Sequence, residues 1–191
     1  MKIIITEEGK YELDRLKFDI KSSIDNIMKY IPDKDVVGVS HIIISEVPPK
    51  KKNIENKARA SYTQKHKMHP ARIEIYLKNL FAHIKNAESF AMMLPIQESW
   101  LAQVIYHEIG HHVRVTRTHR IKKKESEKFA DSYSDNIYSI YILDNAEAIN
   151  SCFNYLESVA EEKGLNLDTV NNMREGWMRS YEEVIAKSRK R

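Results

Sequence analysis

The sequence contains little glycine and only one cysteine. Its 191 residues include five glycines and a single cysteine, Cys152. Five scattered glycines cannot form the glycine-rich loops that bind phosphates in P-loop and dinucleotide-binding proteins, so both classes are excluded. One cysteine excludes an intramolecular disulfide and zinc sites built from several cysteines.

Long apolar runs are also missing. No stretch approaches the ~18–20 apolar residues of a membrane span, and the N-terminal Ile3–Ile5 run is far shorter than the apolar region of a signal peptide. The charges nearly balance, with 31 Lys and Arg against 27 Asp and Glu. The basic runs Lys50–Lys52 and Lys122–Lys124 are not interleaved with aromatic residues. We therefore expect a soluble cytoplasmic protein that binds neither membranes nor nucleic acid.

The distribution of proline divides the chain into two unlike halves. Proline is absent after Pro95, so the second half is expected to be mostly helical. In the first half, β-branched and apolar runs predict strands over Val36–Ser45, Ala58–Lys65 and Ala71–Leu77. Helices are predicted over Glu7–Tyr30, Asn79–Met93, Gln97–Val113 and Glu125–Leu143, with two more that begin at Asn145 and Asp168, on either side of Gly164.

These elements predict an α+β fold, in which a small mixed or antiparallel sheet of about three strands packs on a helical region. Val36–Ser45 is expected to be buried on both faces, whereas apolar and polar residues alternate in Ala71–Leu77, which is typical of a half-buried strand. We divide the sequence into a domain of residues 1–144 and an all-helical C-terminal extension of residues 145–191 packed on it.

The most informative segment is His-Glu-Ile-Gly-His, from His107 to His111. On a helix, residues four apart differ by ~40° in azimuth and ~6 Å in rise, so both imidazoles can point at one metal ion. Glu108 lies ~100° from His107, where it can reach a water molecule on that metal without being a ligand. His112 points away from His111 and is expected to be a packing or surface residue.

The next predicted helix supplies two acidic residues. A catalytic zinc site uses three protein ligands and leaves the fourth position to water. Glu127 can provide the third ligand, and Asp131, one turn later, can accept the free N–H of a ligating imidazole. Ala130 is small enough to let the two helices approach closely. The alternative is that these carboxylates only form loose ion pairs with Lys122–Lys124.

The His-Glu-x-x-His sequence, followed by Glu-x-x-Ala-Asp from Glu127 to Asp131, resembles the gluzincin metallopeptidases. The compact layout is most similar to the minigluzincin and ImmA/IrrE-type members. This resemblance implies that His107, His111 and Glu127 bind one zinc ion per chain and that Glu108 is the general base. It also implies that Asp131 supports one of the histidines.

The resemblance extends to the sheet that precedes the active-site helix. In these peptidases the edge strand of that sheet pairs with the backbone of the substrate. The segment Ala71–Leu77 is similar to that strand, and the resemblance therefore implies that Ile73 and Ile75 contact the substrate.

The motif excludes one related peptidase family but does not identify the residue that stabilises the oxyanion. The metzincin alternative fails, because its glycine and third histidine would fall on Arg114 and Arg117. The residue that stabilises the oxyanion is not assigned, since the tyrosines on the Glu127 face lie ~16 Å or further along the helix. These tyrosines are Tyr138 and Tyr141, and the candidates that stay open are the loop histidines His69 and His119.

The sequence as a whole predicts a small zinc metalloendopeptidase that acts on a peptide or protein substrate. One alternative is a metal-containing regulatory module, repressor-cleaving or toxin–antitoxin-like, that works through a single protein partner and has little general protease activity. A second alternative is a basic interaction protein in which the histidines are incidental. A further hypothesis is latency, in which the helical region after Asn145 covers the cleft.

Overall fold

The computed structural model describes residues 1–49, 57–66, 68–117, 123–164 and 166–188. The strands in these ranges are β1 (Lys2–Ile5), β2 (Val39–Ser45), β3 (Ala60–Thr63) and β4 (Ala71–Tyr76). The helices are α1 (Glu7–Leu16), α2 (Ile20–Met28), α3 (Asp33–Val36), α4 (Leu77–Leu80), α5 (Ala87–Met92), α6 (Leu94–Arg117), α7 (Lys123–Glu162) and α8 (Asp168–Ser188). None of the helices in these ranges has an apolar stretch of the length that a membrane crossing needs.

The four strands form one mixed sheet in the order β1-β2-β4-β3. β1, β2 and β4 run parallel, and β3 pairs with β4 in the antiparallel direction. The predicted α+β fold, with a small sheet and a helical C-terminal part, is confirmed. The sheet has one strand more than predicted, because the short Lys2–Ile5 segment pairs with the distant β2.

β4 is an inner strand, so the prediction that it forms the edge of the sheet is wrong. β2 pairs with one of its sides and β3 with the other. The side chains of Ile73 and Ile75 are 0% exposed. Because both backbone edges of β4 are hydrogen-bonded and both side chains lie in the core, Ile73 and Ile75 cannot contact a substrate. Among the described strands, β3 is the terminal one at this end of the sheet.

One face of the sheet packs against the helices. Ile42 and Ile44 of β2 lie beside Ile73 and Ile75 of β4, and all four side chains are fully buried in the main hydrophobic core. On the other face Ile43 is only half-buried. β2 is therefore covered on one face, not on the two that its apolar sequence predicted, while β4 shows the predicted half-buried alternation.

The N-terminal segment forms two helices where the sequence predicts one over Glu7–Tyr30. After α1 ends at Leu16, Lys17 takes a left-handed conformation with φ of 51°. The side chain of Asp19 then accepts a hydrogen bond from a backbone N–H in the first turn of α2. The apolar periodicity does not reveal the break, because Leu16 and Ile20 on its two sides are both buried.

The predicted helix over Asn79–Met93 is also divided, into α4 and α5. Asn86 begins α5 by accepting a hydrogen bond from the backbone N–H of Ser89 at 2.9 Å. The predicted helix over Gln97–Val113 is instead longer at both ends and forms α6, with Pro95 in its first turn, where proline is tolerated.

α7 is one continuous helix of 40 residues, so the prediction of a new helix at Asn145 is wrong. The side-chain amide of Asn145 donates to the Tyr141 carbonyl at 2.8 Å and to the Tyr30 hydroxyl at 3.2 Å, which satisfies it within the helix. The break at Gly164, with φ of 62°, and the start of α8 at Asp168 agree with the sequence. The division of the chain at residue 145 stays a prediction, although it falls inside α7.

Candidate metal centre

Helix α6 holds His107 and His111 at the border of the core. Its side chains Leu101, Ile105 and Ile109 are fully buried and anchor the helix. The side chains of His107 and His111 are 28% and 16% exposed, and their ring centroids are 4.7 Å apart. The packing of α6 thus fixes the direction of both imidazoles while leaving them accessible.

Helices α6 and α7 cross in direct backbone contact at Gly110 and Ala130. A Cβ atom placed on Gly110 would lie 2.7 Å from the Ala130 Cα and 3.0 Å from the Ala130 carbonyl oxygen, so a larger residue does not fit without a shift of the helices. The sequence indicated that Ala130 is small for this reason, but it did not single out Gly110 as its partner. This close crossing brings Glu127 beside His107 and His111.

The structure brings His107, His111 and Glu127 together at one point. The two histidine Nε2 atoms are 3.1 Å apart, and Glu127 Oε2 is 3.5 Å from each of them. Ligands placed tetrahedrally at ~2.0–2.2 Å from a zinc ion are ~3.3–3.6 Å from one another. The three atoms therefore approximate three corners of a tetrahedral site, and the cluster can hold a metal ion.

Protein partners occupy the other nitrogen atom of each imidazole ring. His107 Nδ1 lies 3.1 Å from Asp131 Oδ1, and His111 Nδ1 lies 3.0 Å from Ser126 Oγ. An ionised carboxylate can only accept, so Asp131 accepts from Nδ1–H of His107, and the neutral form of that ring presents the lone pair of Nε2. With Ser126 accepting from His111 in the same way, two nitrogen lone pairs and an oxygen of Glu127 face one another. A cation between them stabilises such a set of acceptors.

Burial shifts the pKa of two groups in the centre, and each shift favours the neutral form of the group. Burial lowers the pKa of His111, and the neighbouring His107 lowers it further, which favours the neutral, metal-binding imidazole. Burial also raises the pKa of Glu108 to about 8; the charge of Glu127 adds to this rise, and a backbone hydrogen bond from Tyr62 opposes it. A cation in the cluster would lower the pKa of Glu108 again, because a nearby positive charge favours the carboxylate.

A cleft of about 450 Å³ opens beside the cluster and contains Glu108, which is 7% exposed. Arg59 and Ala60, at the start of β3, form one wall. Residues of α6 and α7, among them Gln103 and Asp135, form the other wall. The cleft is therefore bounded by the terminal strand β3 on one side and by the two metal-binding helices on the other.

His112 fixes β3 against α6. Its Nε2–H donates to the Val37 carbonyl at 2.9 Å, so its Nδ1 accepts from the Tyr62 hydroxyl, also at 2.9 Å. His112 is 3% exposed, which confirms the expectation of a packing residue. No signal in the sequence indicates Tyr62 or Ser126, because each meets its histidine partner only when separate elements pack together.

The described candidates for oxyanion stabilisation do not line the cleft. In the described part of the chain, the residues that line the cleft do not include His69, Tyr138 or Tyr141. His119 lies outside the described residues. Arg59 is a cationic side chain that does line the cleft.

The contact between Asp131 and His107 can be tested by measuring zinc affinity. We expect Asp131→Ala to weaken zinc binding by about tenfold, near the lower end of the ~10–100-fold range for residues that support a ligand. The effect is small because the Asp131 side chain is 65% exposed and water can replace its hydrogen bond. Competition with a chromophoric chelator measures the affinity. Asp135→Ala, one turn later in the same cleft, is the control; an equal loss in both variants would contradict a specific contact.

Comparisons with known proteins identify no relative of this chain. No protein family, no curated protein and no solved structure matches it. The gluzincin resemblance therefore rests on the residues of the two motifs, and the functional interpretation rests on the geometry around them.

Proposed function

We propose that this chain is a zinc-dependent endopeptidase. The observation that carries the proposal is the convergence of His107, His111 and Glu127 on one point, beside the buried Glu108. The cleft at this point is bordered by the terminal strand β3. A metal site, a base next to it and a strand that can hold an extended peptide are the parts that metal-assisted peptide hydrolysis needs.

The ion would be held by Nε2 of His107, Nε2 of His111 and a carboxylate oxygen of Glu127. Two imidazoles, one carboxylate and an open fourth position are typical of catalytic zinc, although other divalent ions accept the same ligands. When bound, zinc lowers the pKa of water toward ~7 and polarises the carbonyl of the bond to be cleaved. Asp131 and Ser126 would hold the two rings in the ligating direction.

Glu108 would transfer the protons of the reaction. Its carboxylate would accept a proton from the attacking water and then donate it to the nitrogen of the departing amine. A group that accepts and releases a proton near neutral pH works best with a pKa close to that pH, and burial shifts the pKa of Glu108 in this direction.

The substrate backbone would pair with β3, not with β4 as the sequence resemblance implied. β3 is terminal among the described strands, and Ala60 at its start lines the cleft that contains Glu108. Tyr62 of the same strand is held by His112 on the metal-binding helix. A peptide that adds a strand at this edge would therefore be carried past the base in an extended conformation.

Removal of the metal tests the proposal directly. We expect the purified protein to contain about one zinc ion per chain and to cleave an unfolded protein such as reduced and alkylated casein. Phenanthroline should abolish the cleavage and added zinc should restore it, because three acceptor atoms without a cation cannot activate water. A non-chelating isomer of phenanthroline is the matched control and should leave the activity unchanged.

Two results would contradict the proposal, and each would favour a different alternative. A protein that contains zinc but cleaves no unfolded protein would be better explained as a regulatory or toxin–antitoxin-like module that acts through one partner. A protein that contains no zinc and cannot be loaded with it would be better explained as a basic interaction protein with incidental histidines.

A further inference from the structure

A second cavity, of about 270 Å³, lies between α6, α7 and α8. Its walls include four aromatic side chains, which we use to name it the aromatic cavity: Trp100, Tyr138, Phe153 and Trp177. The rings of Phe153 and Trp177 meet across α7 and α8, with their centroids 6.1 Å apart. The proposed chemistry at the metal centre does not use this cavity.

Gly176 keeps part of the aromatic cavity open on the α8 side. A Cβ atom placed on it meets no atom within 4 Å, so packing does not require glycine at this position. Glycine also weakens the interior of a helix relative to alanine. The feature that Gly176 does provide is empty space, which a larger side chain would fill.

The side chain of Trp177 forms part of the wall of the aromatic cavity. Its side chain is 8% exposed, and its indole N–H has no hydrogen-bond partner among the described residues. Buried N–H groups in folded proteins are nearly always paired. The indole nitrogen is enclosed by its neighbours, so an acceptor in the cavity can pair with it only if this wall rearranges when a ligand binds.

The aromatic cavity adjoins the cleft of the metal centre. Gln103 lines both of them, and a neighbouring groove shares Asp135 with the cleft and Ser180 with the aromatic cavity. Trp100 precedes His107 by two turns of α6, a rise of ~10 Å. An extended peptide covers that distance in about three residues.

We propose that the aromatic cavity is a distal substrate subsite, which binds an aromatic or large aliphatic side chain about three residues from the bond that is cleaved. The proposal rests on the proposed peptidase function, because the cavity adjoins the cleft of the metal centre at Gln103. None of the described residues that line the cavity is charged, so its walls favour an uncharged side chain.

Both tryptophans of the chain, Trp100 and Trp177, line the aromatic cavity, so tryptophan fluorescence reports its occupancy. The zinc-loaded Glu108→Gln protein is titrated with capped octapeptides of alanine and serine that carry one phenylalanine at a varied position. We expect a saturable fluorescence change. The peptide without phenylalanine should need a concentration about tenfold higher or more, because it buries no large apolar side chain.

Gly176→Leu is the variant that fills the cavity, and Gly176→Ala is its matched control. Gly176→Leu should weaken binding of the phenylalanine peptides by about tenfold, whereas Gly176→Ala should retain most of the affinity. Circular dichroism checks that both variants fold. If Gly176→Leu does not fold, Asn172→Phe at an exposed position of the same lining replaces it.

Hydrolysis by zinc-loaded protein with Glu108 intact separates this proposal from the proposed function. We expect the cleaved bond to move with the phenylalanine and kcat/KM for these peptides to fall about tenfold in Gly176→Leu. Cleavage without phenylalanine preference, or a folded Gly176→Leu protein that binds these peptides as wild type does, would overturn the subsite. Saturable binding that Gly176→Leu weakens, without any hydrolysis by the wild type, would overturn the peptidase but support the cavity as a binding site for an apolar side chain.

Discussion

Glu108→Gln is expected to lower peptide hydrolysis by about 10²–10⁴-fold while the protein keeps its zinc. Glutamine has nearly the same shape as glutamate but cannot take a proton from water near neutral pH. The ligand set stays intact, because the three converging atoms belong to His107, His111 and Glu127. Hydrolysis rate and zinc content are measured on the same sample.

The control for this variant is an exposed carboxylate near the site. Glu125 lies two residues before Glu127 on α7 and is exposed, so Glu125→Gln should retain full activity. Because Glu108 is 7% exposed, circular dichroism must show that Glu108→Gln folds. A folded, zinc-loaded Glu108→Gln protein with wild-type activity would reject Glu108 as the base.

Glu127→Ala is expected to weaken zinc binding by at least about a hundredfold, more than the loss of a residue that only supports a ligand. The change removes one of the three converging atoms and leaves only the two imidazole ligands. It also removes a negative charge that lies 3.5 Å from both Nε2 atoms. Hydrolysis should fall with the zinc content and recover only at high zinc concentration.

Glu125→Ala provides the matched control on the same helix. It removes an exposed carboxylate of equal charge close to the site, so a general electrostatic effect on zinc would be similar in Glu125→Ala and Glu127→Ala. We expect Glu125→Ala to bind zinc as the wild type does. An unchanged zinc affinity in Glu127→Ala would show that this carboxylate is not a ligand.

The sequence predicts the part of the site that depends on local helix geometry. His107 and His111 lie four residues apart, and one turn of helix is enough to bring their rings together. Predicting the position of Glu127 required a second condition, which is the close crossing of two helices. The small residue Ala130 indicated that crossing only in part. The crossing itself depends on Gly110, and its role is visible only when the two backbones are seen in contact.

The order of the strands is not predictable from local patterns in the same way. The alternation in β4 correctly indicates a strand with one buried face, but alternation does not say which neighbours pair with its edges. β3 follows the basic Lys50–Lys52 segment and is only four residues long, so its pattern is weak. The terminal position of β3 results from its pairing with β4, which no local signal specifies.

The ends of the helices are also difficult to predict from the local sequence. Lys17 lies at a helix break, although it is neither glycine nor proline. Asn145 lies inside a continuous helix, although the sequence predicts that a helix begins there. The amide of Asn145 finds partners in Tyr141 and Tyr30, and the second of these comes from a distant part of the chain. Tertiary contacts therefore decide the outcome at such residues.

The contact between Gly110 and Ala130 also bears on which ion the site accepts. Donor atoms carried by two helices whose backbones touch cannot move apart freely. A larger ion such as Ca²⁺ binds oxygen at ~2.3–2.6 Å and prefers more ligands, so it would need donor atoms that lie further apart. Discrimination by ionic radius would then reside partly in two residues that bear no ligand atom and never touch the metal.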